Sequence, residues 1–163
     1  MDSGFVYDPP TEPWLKIVHE DRDLVVLDKP SGLLSVPGRF HEDSALHRVG
    51  GRFQNAYAVH RLDMDTSGLL IIALRRKAER ELHRQFRERR VEKRYTAMVW
   101  GRLERESGVI ELPLRRIPGQ PPRSVVDREA GREARTHFQV LERRTDRTRL
   151  RLTPQTGRSH QLR

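Results

Sequence analysis

The longest aliphatic run of the chain, Leu69 to Leu74, directly follows a very polar segment, and this succession constrains the fold more than any other feature. The run is typical of a strand buried on both faces, although a buried helical segment of this length has the same pattern. The preceding segment, HRLDMDTSG from His60 to Gly68, concentrates two carboxylates, an imidazole, a guanidinium and two hydroxyls. A buried strand would hold these groups rigidly at its entrance, so we expect a reaction site there.

The two carboxylates of this segment admit several interpretations. Asp63 and Asp65 stand two residues apart and share one face of an extended chain, which is compatible with a divalent metal site. However, no second histidine or glutamate stands nearby at a metal-binding spacing, and this argues against a metal. A phosphotransferase with an Asp-x-Asp motif is a sharper alternative. In such sites the apolar strand precedes the carboxylates, whereas here it follows them.

The structural interpretation differs from residue to residue. The sequence from Asp65 to Gly68 is typical of a turn whose side chains bond local backbone amides. His60 fits a structural histidine as well as it fits a reacting group. Asp63, which lies between Arg61 and the buried run, is the candidate nucleophile or general base.

Length and composition limit the organisation of the molecule. A chain of 163 residues predicts one domain, and three prolines within residues 1–13 predict an extended arm before a domain at 14–163. The absence of cysteine excludes disulfides and favours the cytoplasm. The N-terminus lacks a signal-peptide pattern, and no apolar stretch reaches the roughly 18 residues of a membrane span. We therefore expect a soluble protein with no membrane partner.

The charge is distributed unevenly along the chain. Residues 1–74 carry a net charge of −4 and residues 75–163 a net charge of +13, which favours a nucleic-acid partner for the second part. Of the 32 basic residues 28 are arginine, so genomic base composition is the competing explanation. Two basic segments stand out: an amphipathic helix over 75–90 with an apolar stripe at Ala78, Leu82 and Phe86, and a turn-rich stretch over 113–131 that predicts a mobile loop.

The remaining patterns predict the fold class. Short apolar runs at Leu15–His19 and Leu24–Asp28 predict a hairpin, and Asp43 or Ser44 is positioned to cap a short helix that runs through Val49. Residues Arg94–Leu103 predict a strand, and Thr136–Glu142 with Arg149–Thr153 predict a closing hairpin. Strands, one long helix and then strands again indicate an α+β fold with a mixed, mostly antiparallel β-sheet and flanking helices.

The motifs taken together resemble a known family, the pseudouridine synthases of the RluA family. The resemblance covers nearly the whole chain, and the stretches EPWL at 12–15 and RELHRQFRER at 80–89 resemble its dual-specificity branch, which modifies 23S ribosomal RNA and the tRNA anticodon stem-loop. The four matching motifs occur in the family's order: KPSGLLSVPG at 29–38, HRLDMDTSGLL at 60–70, KRYTAMVWG at 93–101 and TGRSHQLR at 156–163.

The resemblance implies a reaction. A uridine in RNA is flipped out of its stack, its N1–C1′ bond is broken, and the same base is rejoined through C5. Such an isomerisation uses no cofactor and no metal, and the partner is tRNA or 23S rRNA, or both. The family's essential aspartate falls on Asp63, whose role as nucleophile or as general base the sequence leaves open.

The resemblance also implies three substrate-binding residues. Tyr95 takes the position of the family's aromatic residue against the uracil ring, although the strand pattern alone favours a core aromatic. Arg163 aligns with the arginine that pairs with the catalytic aspartate, and Arg61 is expected to contact RNA near the vacated position. We expect the protein to act as a monomer.

Family members continue beyond the TGRSHQLR motif with further strands and a helix. We therefore expect a pseudouridine synthase catalytic domain whose C-terminal part is missing from this chain, with Arg163 at its last position. A non-catalytic RNA-binding fragment of such an enzyme is the alternative function.

Overall fold

The structure is a computed structural model that describes residues 6–119 and 123–163. The first five residues of the predicted arm therefore lie outside the described residues, as do residues 120–122 of the predicted loop. The chain divides into two compact units, Met1–Arg90 and Val91–Arg163, which are described separately below. The single domain expected over residues 14–163 stays a prediction.

The first unit contains a four-stranded sheet and two helices. The strands follow the order β1-β2-β4-β3, and every pairing between them is antiparallel. The elements are β1 (Ile17–Glu20), β2 (Leu24–Lys29), α1 (Ala45–Gly50), β3 (Tyr57–Ala58), β4 (Gly68–Ala73) and α2 (Arg76–Arg87).

The core of the first unit forms where β2 and β4 pair. Leu27 lies opposite Leu70 and Val25 lies opposite Ile72, and all four side chains are buried. Burial of side chains of this size stabilises the fold by about 1.5–3 kcal/mol each. The predicted strand after the polar segment is thus confirmed. Its predicted burial on both faces is wrong, because Leu69 is 63% exposed and only alternate residues at the start of β4 point into the core.

The second unit contains a four-stranded antiparallel sheet and a separate hairpin. The sheet order is β5-β10-β9-β6, so the predicted closing hairpin is confirmed as β9 and β10. The elements are β5 (Tyr95–Trp100), β6 (Ser107–Glu111), β7 (Leu114–Ile117), β8 (Arg123–Val126), β9 (Arg135–Arg143) and β10 (Arg147–Pro154). The predicted α+β class with mostly antiparallel strands is confirmed.

The turn-rich stretch over 113–131 differs from the mobile loop that its prolines and glycines predict. Its described residues form the antiparallel pair β7 and β8, with Leu114 opposite Val126 and Ile117 opposite Arg123. Asp127 closes the far end, because its carboxylate accepts hydrogen bonds from the backbone N–H groups of Glu129 and Ala130. The local pairing of the two strands thus forms in spite of a composition that favours turns. Within the described residues, no helix is both long and apolar enough to cross a membrane.

The arm is fastened to the first unit by a buried arginine of α1. The helix begins after Ser44, whose side chain accepts a hydrogen bond from the N–H of His47, which confirms one of the two predicted caps. Arg48, whose side chain is fully buried, donates two hydrogen bonds to the carboxylate of Asp43, at 2.7 and 2.8 Å. It also donates to the carbonyls of Pro10 and Trp14 at 2.8 and 3.1 Å.

The Arg48→Met variant is expected to lower the free energy of unfolding by about 3 kcal/mol or more, because it leaves a partly buried carboxylate and two carbonyls without their donor. Urea unfolding measures this loss. The matched control is Arg52→Met, whose ion pair with Glu20 is exposed and is worth about 1 kcal/mol or less. Equal effects of the two substitutions would contradict the assigned role of Arg48.

The same ion pair predicts an acid dependence of stability. Hydrogen bonds from Arg48 hold the pKa of Asp43 below its usual value of 3.8. The pair's contribution is therefore fully present above pH 3.8 and is lost as the pH falls through the lower, folded-state pKa. The urea midpoint of the wild type should fall more steeply in this acid range than that of Asp43→Asn. Parallel curves for the two proteins would refute the prediction.

Candidate active site

The candidate catalytic loop connects β3 to β4 and carries Asp63. Leu62 is buried and anchors the loop, Asp63 is half-buried, and Arg61 is exposed. The N–H of Thr66 donates to the carbonyl of Asp63 at 3.1 Å, so a turn forms over residues 63–66, two residues earlier than the turn predicted from Asp65 to Gly68. Gly68 starts β4 with φ of 121°, a conformation that a residue with a side chain resists. The local sequence therefore fixes the aspartate at the entrance of the strand.

A second segment of the first unit, residues 29–38, holds this loop through backbone and hydroxyl hydrogen bonds. The Ser35 hydroxyl donates to the carbonyl of Leu62 at 2.7 Å and accepts from the N–H of the same residue at 3.0 Å. The N–H of Gly32 donates to the carbonyl of Met64 at 3.0 Å. These bonds secure the residues on both sides of Asp63, so the segment KPSGLLSVPG supports the loop that bears the candidate catalytic group.

Lys29 is the centre of this support. It occupies the last position of β2, where the strand's alternation directs its side chain inward, and it is only 1% exposed. Its ammonium donates to three carbonyls, those of Leu33 at 2.6 Å, Pro30 at 2.8 Å and Met64 at 2.9 Å. All three N–H donors of the ammonium are thus used. One side chain therefore links the end of β2 both to the segment over residues 29–38 and to the candidate catalytic loop.

The buried ammonium and the nearby carboxylates influence each other. Burial lowers the pKa of Lys29 to about 8, while the negative charges of Asp65 and Asp63 oppose this fall. The interaction places a positive charge near the candidate catalytic aspartate from the interior side of the loop. Within the first unit, at residues 6–90, no hydrogen bond or ion pair engages the carboxylate of Asp63. No donor of this unit therefore occupies the carboxylate oxygens, which remain available to a substrate or to another partner.

Two other polar residues of the loop, His60 and Asp65, make contacts within the first unit. His60 Nε2 accepts a hydrogen bond from the N–H of Ile71 at 2.9 Å, and its ring stacks on Phe86 with centroids 4.8 Å apart. This geometry assigns the proton to Nδ1 and favours the structural interpretation of the histidine. Asp65 is exposed, and its carbonyl accepts from the Ser31 hydroxyl at 2.9 Å. The expectation that Asp65 belongs to the turn agrees with this geometry.

The second unit carries the other two predicted site residues. Tyr95 is the first residue of β5, is half-buried and lies opposite Leu152 of β10. Arg163 is exposed, and its N–H donates to the carbonyl of His160 at 3.1 Å. The structure thus assigns Asp63 and Arg61 to the first unit and Tyr95 and Arg163 to the second. The pairing of Asp63 with Arg163 and the stacking of Tyr95 on a base stay predictions.

The segment TGRSHQLR is organised by Gln161. Its carbonyl oxygen accepts from the Thr156 hydroxyl and from the N–H of Arg158, both at 2.9 Å. Its amide nitrogen donates to the Thr136 hydroxyl at 3.0 Å and to the carbonyl of Arg135 at 3.2 Å. These bonds fasten the segment to β9, and they give its glutamine a local structural role that the sequence patterns did not indicate.

The basic helix α2 combines paired and unpaired cations. Arg84 lies 2.8 Å from Glu81 and 3.5 Å from Glu88, and Arg76 lies 2.9 Å from Glu79. The exposed Lys77 and Arg87 make no ion pair within the first unit's described residues. Part of the helix charge is therefore neutralised within the helix, and part is available to a polyanion. Across residues 6–119 and 123–163, no group of three or more His, Cys, Asp or Glu side chains is arranged to hold a metal ion.

Comparison with known proteins places these residues in a family. A family model described as RNA pseudouridylate synthase matches residues 23–163. The chain is 51% identical over 160 residues to the dual-specificity RNA pseudouridine synthase RluA of Pasteurella multocida and 49% identical to that of Escherichia coli. Each alignment covers 96% of this chain and 73% of the relative. The chain belongs to the RNA pseudouridylate synthase family, as the four ordered motifs predict.

Two solved human structures resemble the chain in fold. RNA pseudouridylate synthase domain containing 1 matches with a TM-score of 0.77 and 28% identity, over 100% of this chain and 66% of that chain. RNA pseudouridylate synthase domain containing 4 matches with a TM-score of 0.72 and 26% identity, over 91% of this chain and 62% of that chain. The chain thus spans about two thirds of the length of these structures.

The role of Lys29 was missed by reasoning from the sequence, although a signal was present. In LVVLDK, the lysine stands two residues after Leu27 and four after Val25, at a position that strand alternation directs inward. A buried lysine requires several acceptors, and the Pro- and Gly-containing loop that follows supplies carbonyls that no regular ladder uses.

The Lys29→Met variant is expected to lower the free energy of unfolding by about 1–3 kcal/mol, because the carbonyls of Pro30 and Leu33 lose the ammonium donor and that of Met64 keeps only the N–H of Gly32, while the side-chain volume is nearly unchanged. Chemical denaturation measures the loss. The control Lys16→Met removes an exposed ion pair with Asp28 and should change stability by about 1 kcal/mol or less. A Lys29→Met protein as stable as this control would show that the ammonium does not hold the loop.

Proposed function

We propose that this chain isomerises specific uridines of structured RNA to pseudouridine, with tRNA, 23S rRNA or both as substrate. The support is the family membership together with the dual specificity named for relatives that are about half identical to this chain. The observation that carries the proposal is the half-buried Asp63 on a loop that Ser35, Gly32 and Lys29 hold in place. A rigidly supported carboxylate without a competing donor in its own unit is suited to act on a substrate.

The proposed reaction conserves every atom of the uridine. The N1–C1′ bond breaks, a C5–C1′ bond forms, the hydrogen on C5 leaves as a proton, and N1 gains a proton. No electron is transferred and no group is added, so the chemistry requires no redox cofactor and no metal ion. In either role, as nucleophile at the sugar or as general base, Asp63 acts as the ionised carboxylate.

Three further residues are proposed to bind the substrate. Tyr95 packs against the flipped uracil, because an aromatic ring at a strand end provides a flat surface for a base. Arg163 pairs with Asp63 and keeps it ionised and oriented, since a charge-assisted hydrogen bond favours the carboxylate form. Arg61, which is exposed beside the aspartate, contacts RNA near the position that the base vacates. Basic side chains of α2 and of the β7–β8 hairpin bind phosphate groups of the RNA.

The cellular setting follows from the substrates. Transfer RNA and ribosomal RNA are cytoplasmic polyanions, and the net charge of +9 favours their binding. We propose a cytoplasmic enzyme that acts as a monomer, since the four proposed site residues, Arg61, Asp63, Tyr95 and Arg163, all belong to one chain.

The Asp63→Asn variant is expected to lower pseudouridine formation by at least about 100-fold while RNA affinity changes little, because the substitution keeps the shape of the side chain and removes its charge and basicity. Mapping of pseudouridine in tRNA and 23S rRNA transcripts measures the product, and a filter-binding assay measures affinity. The matched control is Asp65→Asn, which should retain most of the activity because Asp65 is exposed and engages the loop through its carbonyl.

The outcomes separate the proposal from its alternative. No product from the wild-type chain, or equal product from Asp63→Asn, would exclude the catalytic proposal. Salt-sensitive binding without any product would favour a non-catalytic RNA-binding protein. Failure of the wild type to bind RNA at modest salt would exclude both functions.

A further inference from the structure

The outer face of the β5–β10 pair in the second unit has a composition that the proposed reaction does not use. Along β10 the exposed residues are Arg147, Arg149 and Arg151, while Thr148 and Leu150 between them are buried. Strand alternation therefore gives β10 one buried side and one exposed side that carries the three arginines. Successive side chains on the same side of a strand lie roughly 7 Å apart.

The neighbouring strand β5 adds apolar side chains to this face. Trp100 lies opposite Arg147 in the register and Met98 lies opposite Arg149. The indole of Trp100 is 77% exposed and Met98 is 44% exposed. The guanidinium of Arg147 lies 4.6 Å from the indole centroid, so one side of the ring is held by a cation while much of the ring stays open to solvent. We call these five side chains the arginine face.

The cations of the arginine face are incompletely neutralised. Arg147 lies 3.2 Å from Asp146. Glu142 lies opposite Arg149 on β9, but its carboxylate accepts its hydrogen bonds from Arg144 instead, the shorter at 2.8 Å. Within the described residues, neither Arg149 nor Arg151 makes an ion pair, and Arg151 donates only to the side-chain oxygen of Gln139, at 3.3 Å.

This arrangement fits one ligand chemistry. A row of guanidinium groups presents paired donors to successive anionic groups, which is the geometry that phosphates accept. An exposed indole provides a stacking surface for a base, and only unpaired nucleotides leave a base free to stack on a protein side chain. An acidic protein segment would use the arginines but would have no use for the open ring.

We propose that the arginine face binds an unpaired segment of RNA, with phosphates on Arg149 and Arg151 and a base stacked on Trp100. The site is distinct from the residues assigned to uridine isomerisation. The proposal rests on the proposed function only because it takes RNA as the ligand. The site would let the second unit bind nucleotides of the substrate other than the one that reacts.

The charge part of the proposal is tested with Arg149→Gln/Arg151→Gln and a fluorescent oligouridylate. Loss of two phosphate contacts should reduce the steepness of log K against log salt by about 1.4, at about 0.7 for each contact on a single strand. The matched control is Arg22→Gln/Arg52→Gln, which removes two exposed arginines of the first unit and should leave the slope unchanged. Equal slopes for the two double variants would overturn the proposal.

The stacking part is tested with Trp100→Ala. Affinity for the oligouridylate should fall by about 5- to 100-fold while the salt slope stays the same, because a stacked base contributes without releasing counterions. Unchanged affinity would overturn the proposal, as would binding of polyglutamate as tight as that of the oligouridylate. Should the double glutamine variant unfold, the single variants Arg149→Gln and Arg151→Gln are measured instead; each should reduce the salt slope by about 0.7, and a wild-type slope in both would overturn the proposal.

The catalytic proposal is assayed in parallel so that the two can fail separately. If the wild type forms no pseudouridine but the arginine variants lose oligouridylate binding, the catalytic proposal fails and the arginine face stands. If the wild type is active and the arginine and tryptophan variants bind normally, the arginine face fails alone.

Discussion

The first unit depends on one buried cation. The ammonium of Lys29 joins the end of β2 to the carbonyls of Leu33 and Met64, which belong to two loops without regular ladder bonds. Taking a charge out of water is costly, and burial accordingly lowers the pKa of this lysine to about 8. The cost is offset because the ammonium satisfies the carbonyls of Pro30 and Leu33 and adds a second hydrogen bond to that of Met64. A hydrophobic residue at this position would fill the space but would remove these three hydrogen bonds.

This support has a consequence for the chemistry of the loop. The hydrogen bonds from Ser35 and Gly32 engage backbone atoms of Leu62 and Met64, so the residues on both sides of Asp63 are fixed while its carboxylate is left to other partners. A catalytic group must be held in position without having its reactive atoms occupied. Positioning through the backbone of neighbouring residues meets both requirements. It also gives a reason for the segment over residues 29–38, which supplies these hydrogen bonds.

The sequence predicts those parts of the structure that local pattern determines. The strand after Gly68 follows from a continuous aliphatic run, the β9–β10 hairpin from alternation, the Ser44 cap from capping chemistry, and the family from four ordered motifs. The β7–β8 hairpin was predicted as a loop, because its composition favours turns and its two strands are only four residues long. The roles of Lys29 and Arg48 were not predicted. Lys29 donates to the carbonyl of Met64 and Arg48 to that of Pro10, and no local pattern reveals acceptors so distant in sequence.

Buried and exposed arginines have different roles in this chain, and the difference follows from the backbone around each side chain. Arg48 is buried beside an irregular segment whose carbonyls take no part in a ladder. It donates to these carbonyls and to Asp43, and so it stabilises the fold. Arg149 and Arg151 project from the exposed face of the sheet, where the ladder already engages the backbone carbonyls; within the described residues Arg149 makes no ion pair and Arg151 donates only to the side chain of Gln139. A guanidinium on such a surface keeps its donors for an external anion. The rich arginine content therefore divides by fold position into cations that stabilise and cations left free to bind.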